Sequence, residues 1–118
     1  MKNLAALLTS SLLAVVSPFA TAAEFPARPL NLVVPFGPGG TTDVLARGLG
    51  AEMAKLLGQT VVIVNKVGAS GSIGAAEVAS AAKDGHTLGM LPVGPLTTQP
   101  NLRRLPYGPE SFDYVCLV

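Results

Sequence analysis

One stretch limits what this chain can become: Leu30 to Leu57, which from Leu32 onward reads LVVPFGPGGTTDVLARGLGAEMAKLL. Leu30, Leu32, Val33 and Val34 form a short apolar run of the kind a buried parallel strand shows. Pro35 and then Gly37-Pro38-Gly39-Gly40 end it abruptly. Thr41 or Thr42 can cap a helix, with Asp43 in its first turn. Leu45, Leu49, Met53, Leu56 and Leu57 follow at helical spacing, and Gly58 supplies the stop. Strand, glycine loop and helix start thus gather free backbone N–H groups and the positive end of a helix dipole at one point. A small anionic ligand suits such a place.

Ahead of this stretch, Met1-Lys2-Asn3 is a short basic start, Leu4 to Val16 is mostly apolar, and Ala20-Thr21-Ala22 fits a signal-peptidase site. Residues 1–22 therefore read as a cleaved export signal. Ser10, Ser11, Ser17 and Pro18 leave the apolar run short of the about 20 residues a bilayer span needs. The mature chain is then 23–118, long enough for a modest and marginal core. The whole sequence holds 8 basic and 7 acidic residues, and loss of Lys2 with the signal balances them. A neutral chain with no basic run and few aromatics argues against a nucleic-acid partner. Cys116 is the only cysteine, so an internal disulfide is excluded. Its apolar surroundings, Tyr114 to Val118, predict a small core residue.

Further along, Thr60 to Val64 is a second buried strand by its β-branched run. Asn65 to Ser72 is another loop of small residues, and Ser72 can cap a second helix whose Ala75, Val78, Ala79 and Ala82 share a face. Gly48 and Gly50 inside the first helix each cost about 1 kcal/mol relative to Ala, so packing must hold it, with small residues letting it approach the sheet. Thr87 to Leu91 reads as a third strand, Val93 to Thr98 as a third loop, Gln99 to Pro109 as irregular, and Phe112 to Val118 as the start of a fourth strand. The alternation predicts an α/β fold with right-handed crossovers and a parallel sheet. All three loops that follow strands are rich in Gly, Ser and Thr, whereas Gly58-Gln59 and Asp84-Gly85, which lead back into strands, are minimal. Spare loop length is concentrated where open α/β sheets bind ligands, beyond the carboxyl ends of the strands.

Several chemistries are excluded. Gly37-x-Gly39-x-x-Thr42 lacks the third glycine of a dinucleotide fingerprint, and Asn65 stands where an acidic residue would end the second strand. No Gly-Lys-Ser/Thr is present for a P-loop. His86, the one histidine, lies before a strand at the wrong edge for catalysis, where it reads as satisfied or exposed. Neither a nucleophile triad, a metal-ligand cluster nor paired carboxylates can be assembled near the loops, so no enzyme, cofactor or metal is expected. Capture by neutral donors remains. The N–H groups of Gly39, Gly40, Thr41 and Thr42, with the two threonine hydroxyls, could hold a carboxylate; Gly71, Ser72 and Gly94 could hold another part of the ligand. The alternative is that these glycines only permit tight turns. Asp43 stabilises the helix start but partly offsets the field that would attract an anion.

Arg28-Pro29 followed by LVVPFGPGGTTDVLAR resembles the opening of the periplasmic solute-binding receptors of tripartite tricarboxylate transporters, the Bug receptors. LGQTVVIVNKVGASGSIGAAEVASAAKDGHTLGM and LPYGPESFDYVCLV extend the resemblance over essentially the whole mature chain. It implies an exported, periplasmic, non-enzymatic receptor whose two α/β lobes, of the type II-like periplasmic binding protein kind, close on a di- or tricarboxylate or similar small organic acid. It also implies delivery to membrane transporter subunits. The ligand loops then fall on Phe36 to Asp43, Gly68 to Ser72 and Val93 to Leu96. Pro92-Val93 depart from the small hydroxyl residues common there. Such receptors run to about three hundred residues, so residues 23–118 read as a truncated N-terminal portion of the first lobe, ending near the entry to the second. Alone, it is expected to bind weakly or not at all. A different class stays open: a short exported α/β module that binds a protein partner and has no transport role.

Overall fold

A computed structural model describes residues 24–118, so the export signal expected over 1–22 lies outside the described residues. Three strands form one parallel sheet: β1 (Leu30–Val34), β2 (Val61–Asn65) and β3 (Thr87–Gly89), in the order β2-β1-β3. The expected α/β class and parallel pairing hold. β1 lies in the centre and is the most apolar segment, with Leu30, Leu32, Val33 and Val34 all buried. A strand flanked on both edges and covered on both faces needs such a run.

Helix α1 (Thr41–Leu57) joins β1 to β2, and α2 (Ser72–Ser80) joins β2 to β3. The register shows that they cover opposite faces. Leu30 and Leu32 stand beside Val61 and Ile63, and these two side chains meet the Gly50 position of α1. Val33 stands beside Gly89, whose position meets the Val78 side chain of α2. On the α1 face Leu32, Val34 and Ala46 form a small core, joined by Val61, Ile63, Leu88 and Met90.

Packing departs from the leucine spacing. The buried residues of α1 are Asp43, Ala46 and Gly50, whereas Leu45 and Leu56 are 53% and 86% exposed. Small side chains let the helix axis approach the sheet, and that approach, rather than the largest apolar residues, sets its inner face. Gly50 packs closely as expected, but Gly48 has open space around it. Gly58 ends the helix in the left-handed conformation, its N–H donating to the Ala54 carbonyl at 3.1 Å.

Other expectations are corrected. Gly40, in extended conformation, is the N-cap of α1, and Gly71 is that of α2, so Thr41, Thr42 and Ser72 are first-turn residues instead of caps. α2 stops at Ser80 and leaves Ala82 outside it. β3 ends at Gly89, and the third loop is a π-helical turn over Gly94–Thr98 that runs into α3 (Gln99–Leu102). Phe112 to Val118 forms no strand; after a 3₁₀ turn at Pro109–Ser111 it pairs with nothing among the described residues. Without a neighbouring strand its backbone gains no ladder, the side chains beyond Phe112 gain no cover, and Cys116 is consequently exposed.

Candidate functional site

Because all three strands run parallel, the loops that leave them emerge along one edge of the sheet. The loop after β2 is the most constrained. Gly68, Ala69, Ser70 and Gly71 all have positive φ, at 132°, 47°, 54° and 88°. For Ala69 and Ser70 this is the left-handed region that L-residues avoid at a cost of roughly 1–2 kcal/mol each. Backbone strain of this kind is sustained only where surrounding structure fixes it. Gly71 supplies the fixing point. A Cβ there would lie 2.6 Å from Pro95 Cγ, 3.3 Å from Pro35 Cβ and 3.5 Å from Phe36 Cζ. Glycine at this position thus lets the second loop seat itself against both the first and the third. Pro35 and Pro95 are fully buried around it.

The first loop is held differently. The Asp43 carboxylate is 2% exposed and receives four donors. Gly39 N–H reaches Oδ2 at 2.9 Å, Arg47 Nε reaches Oδ2 at 2.8 Å and Nη2 reaches Oδ1 at 3.0 Å, and Asn65 Nδ2 reaches Oδ1 at 2.9 Å. Asn65 Nδ2 also donates to the Phe36 carbonyl at 3.0 Å. The Arg47 hydrogen bonds, then the Gly39 N–H and Asn65, hold the Asp43 carboxyl well below the usual carboxylate range. In return Asp43 raises the affinity of the Arg47 guanidinium for its proton. The positive φ of this loop belongs to Gly39 (83°); Gly40 is extended, at φ −74°.

The expected site residues therefore divide. The Phe36 ring lies where a side chain on Gly71 would meet it, and Gly39 and Asp43 bond to each other. Thr41 is exposed and Thr42 half-buried at the start of α1. Ser72 is buried, and its hydroxyl has no partner among the described residues. Gly94 has open space at its α-carbon. Two cations beside the first and second loops are paired to acids of the same chain: Arg47 with Asp43, and Lys66 with Glu77 at 3.1 Å. Neutral donors are what this edge offers a ligand. A shallow depression of about 350 Å³ flanks α1 and β2, lined by Arg47, Gly50, Ala54, Val61 and Ile63.

Three residues outside the sequence reading support this edge. Arg47 and Asn65 complete the Asp43 cluster, and the i,i+4 spacing of Asp43 and Arg47 was the available signal. Tyr107 is buried and donates its hydroxyl to the Pro95 carbonyl at 2.9 Å, anchoring the third loop. His86 lies at the opposite edge. It is buried and only half satisfied, against the expectation: Nδ1 lies 3.1 Å from the Asp84 carbonyl and Phe25 packs edge-on at 5.0 Å, but Nε2 has no partner among the described residues. Among the described residues no group of His, Cys, Asp and Glu could hold a metal ion, and no helix is long and apolar enough to cross a membrane.

Residues 45–117 match the family model described as the tripartite tricarboxylate transporter family receptor. Protein BugT of Bordetella pertussis is 50% identical over 68 residues, covering 58% of this chain and 21% of that protein. A TctC solute-binding protein from Polaromonas, solved without ligand, superposes with a TM-score of 0.66 at 40% identity, over 73% of this chain and 30% of its own. MatC from Rhodopseudomonas palustris, solved with bound malate, gives a TM-score of 0.54 at 55% identity, over 55% of this chain and 22% of its own. The chain spans about a fifth to a third of the length of the curated relatives it matches.

Proposed function

The chain belongs to the tripartite tricarboxylate transporter receptor family, and from that premise we propose that its loop edge is part of the binding site of an exported receptor for a small organic carboxylate. One observation carries this reading. Gly71 is wedged between Pro35 and Pro95, so three separate loops converge beyond the carboxyl ends of the strands, where open parallel sheets bind ligands. Beside that wedge the Ser72 hydroxyl is buried without a partner among the described residues, and a buried unpaired hydroxyl is costly unless something satisfies it.

Residues 1–22 direct export and are removed, and 23–118 contribute one wall of a cleft in the periplasm. The ligand is a di- or tricarboxylate held by backbone N–H groups and hydroxyls, and membrane transporter subunits receive it. The protein acts as a receptor without catalysis, since the acids and bases near the loops are spent on one another. A single wall leaves an anion competing with water, so residues 23–118 alone bind it weakly, in the millimolar range. Titrating the ¹⁵N-labelled chain with malate, adipate and citrate tests the assignment. Amide shifts should change at Gly40 to Thr42, Gly71, Ser72 and Gly94. Changes confined to the His86 edge, or none up to 50 mM ligand, would overturn it.

A further inference from the structure

The start of α1 has the features that attract an external anion, namely free first-turn N–H groups and a helix dipole. Yet the carboxylate of that first turn, Asp43, is turned back onto the loop before the N-cap. Asp43 takes the Gly39 N–H, is countered by both faces of the Arg47 fork, and is tied through Asn65 to the end of β2 and to the Phe36 carbonyl. These contacts fix the positions of a loop, a helix and a strand end relative to one carboxylate. We propose that Asp43, with Arg47 and Asn65, is a positioning residue that fixes the loop before α1 from within and leaves the first-turn N–H groups of the helix free. The first loop is thereby shaped before any ligand arrives, and the Gly39 N–H is withheld from it. This rests on the receptor reading only for its consequence, which is that the ligand meets this loop through what is left: the Thr41 and Thr42 N–H groups and hydroxyls.

A carboxylate that positions by its charge differs from one that merely fills space. With ¹⁵N-glycine and ¹³C-aspartate in the full chain, the Gly39 amide proton should be shifted downfield and slow to exchange, as charge-assisted hydrogen bonds are short and strong. The Asp43 carboxyl signal should not titrate between pH 7 and 3. Asp43→Ala should speed exchange of the Gly39 amide at least tenfold, and sodium formate, a carboxylate of the deleted size, should restore the shift where sodium chloride does not. Asp43→Asn should fail to restore it, because an amide places a donor against Arg47 or Asn65. If Asp43→Ala does not fold, Arg47→Ala decides instead: the altered side chain is half-exposed at the surface, and its loss should bring the Asp43 titration into the pH 7 to 3 window. A wild-type Asp43 that titrates like a free aspartate, an Asp43→Asn variant indistinguishable from wild type, or an Asp43→Ala chain indifferent to formate would each overturn the proposal. Apart from formate, which stands in for the deleted carboxyl group, none of these readouts involves an organic acid ligand. Failure here therefore leaves the receptor reading standing, and an intact cluster in a chain that ignores malate, adipate and citrate would overturn only that reading.

Discussion

The Tyr107 hydroxyl donates to the Pro95 carbonyl at 2.9 Å, from twelve residues further along the chain. Tyr107 is buried and meets the Phe112 ring edge-on at 5.6 Å, so the irregular segment after α3 is what anchors the third loop. Tyr107→Phe keeps the ring contact and removes the donor. It should cost about 1 kcal/mol, the usual net worth of such a bond. Urea denaturation reads this directly, and unchanged stability would mean the Pro95 carbonyl has found another donor.

A glycine pair separates turn requirement from open space. Gly71→Ala must put a methyl 2.6 Å from Pro95 Cγ at a φ of 88°, whereas Gly94→Ala meets nothing within 4 Å. The first should destabilise by at least about 1–2 kcal/mol from the backbone conformation alone. The second should stay within about 0.5 kcal/mol, as surface substitutions usually do. Paired denaturation curves check it, and equal losses would refute the wedge.

In the first loop the same logic moves the sensitive position. Gly39 holds the positive φ, whereas Gly40 is extended with only the Gly37 carbonyl near, at 3.5 Å. Gly39→Ala should therefore cost more than Gly40→Ala, by roughly 1 kcal/mol. Thermal melts of the two variants decide the order.

Stability should also carry the mark of Asp43 in acid. Its folded carboxyl lies below the ordinary value of about 3.9, so on acidification the unfolded chain takes up its proton first. The contribution is complete above about pH 5 and is lost as pH falls below about 4 toward the folded value. Asp84, lowered by the His86 N–H and then by Arg28, acts in the same sense. Asp43→Asn should consequently be less stable at pH 7 and should flatten the acid limb of stability against pH without abolishing it. Denaturation at stepped pH values measures the slope; an unaltered slope would show that Asp43 is not the titrating group.

How far the sequence could be read follows from the kind of signal each feature leaves. β1 and β2 are runs of apolar and β-branched residues, and the Gly58 stop has its own conformational signature, so these were legible, although β2, at the sheet's edge, is half-buried with Val62 exposed and not the buried strand its composition suggests. The inner face of α1 was not. Spacing of leucines cannot register that Ala46 and Gly50 allow close approach, or that Asp43 is buriable because four donors meet it. Phe112 to Val118 has the composition of a strand, but composition cannot supply a neighbour. The converging loops were legible as small-residue segments after strands; that Gly71 is their meeting point, and Tyr107 the anchor of one of them, depends on contacts between distant residues.

Strain in the second loop gives the last prediction. Ala69 and Ser70 sit at φ 47° and 54°, each costing roughly 1–2 kcal/mol that glycine would not incur. Glycine in turn raises the entropy of the unfolded chain by roughly 0.5–1 kcal/mol. Ala69→Gly and Ser70→Gly should therefore each stabilise the chain slightly, by about 0.5 kcal/mol. Side chains that resist the left-handed region do not favour this turn, so what they provide is stiffness: a residue with fewer accessible conformations leaves the loop fewer shapes to leave and re-enter. The double substitution should gain stability while weakening the amide-shift response of Gly71 and Ser72 to malate, because a looser loop must be ordered on binding. Denaturation and titration on the same sample separate the two effects. A stabilised chain with an undiminished response would show that the strained turn serves the fold alone.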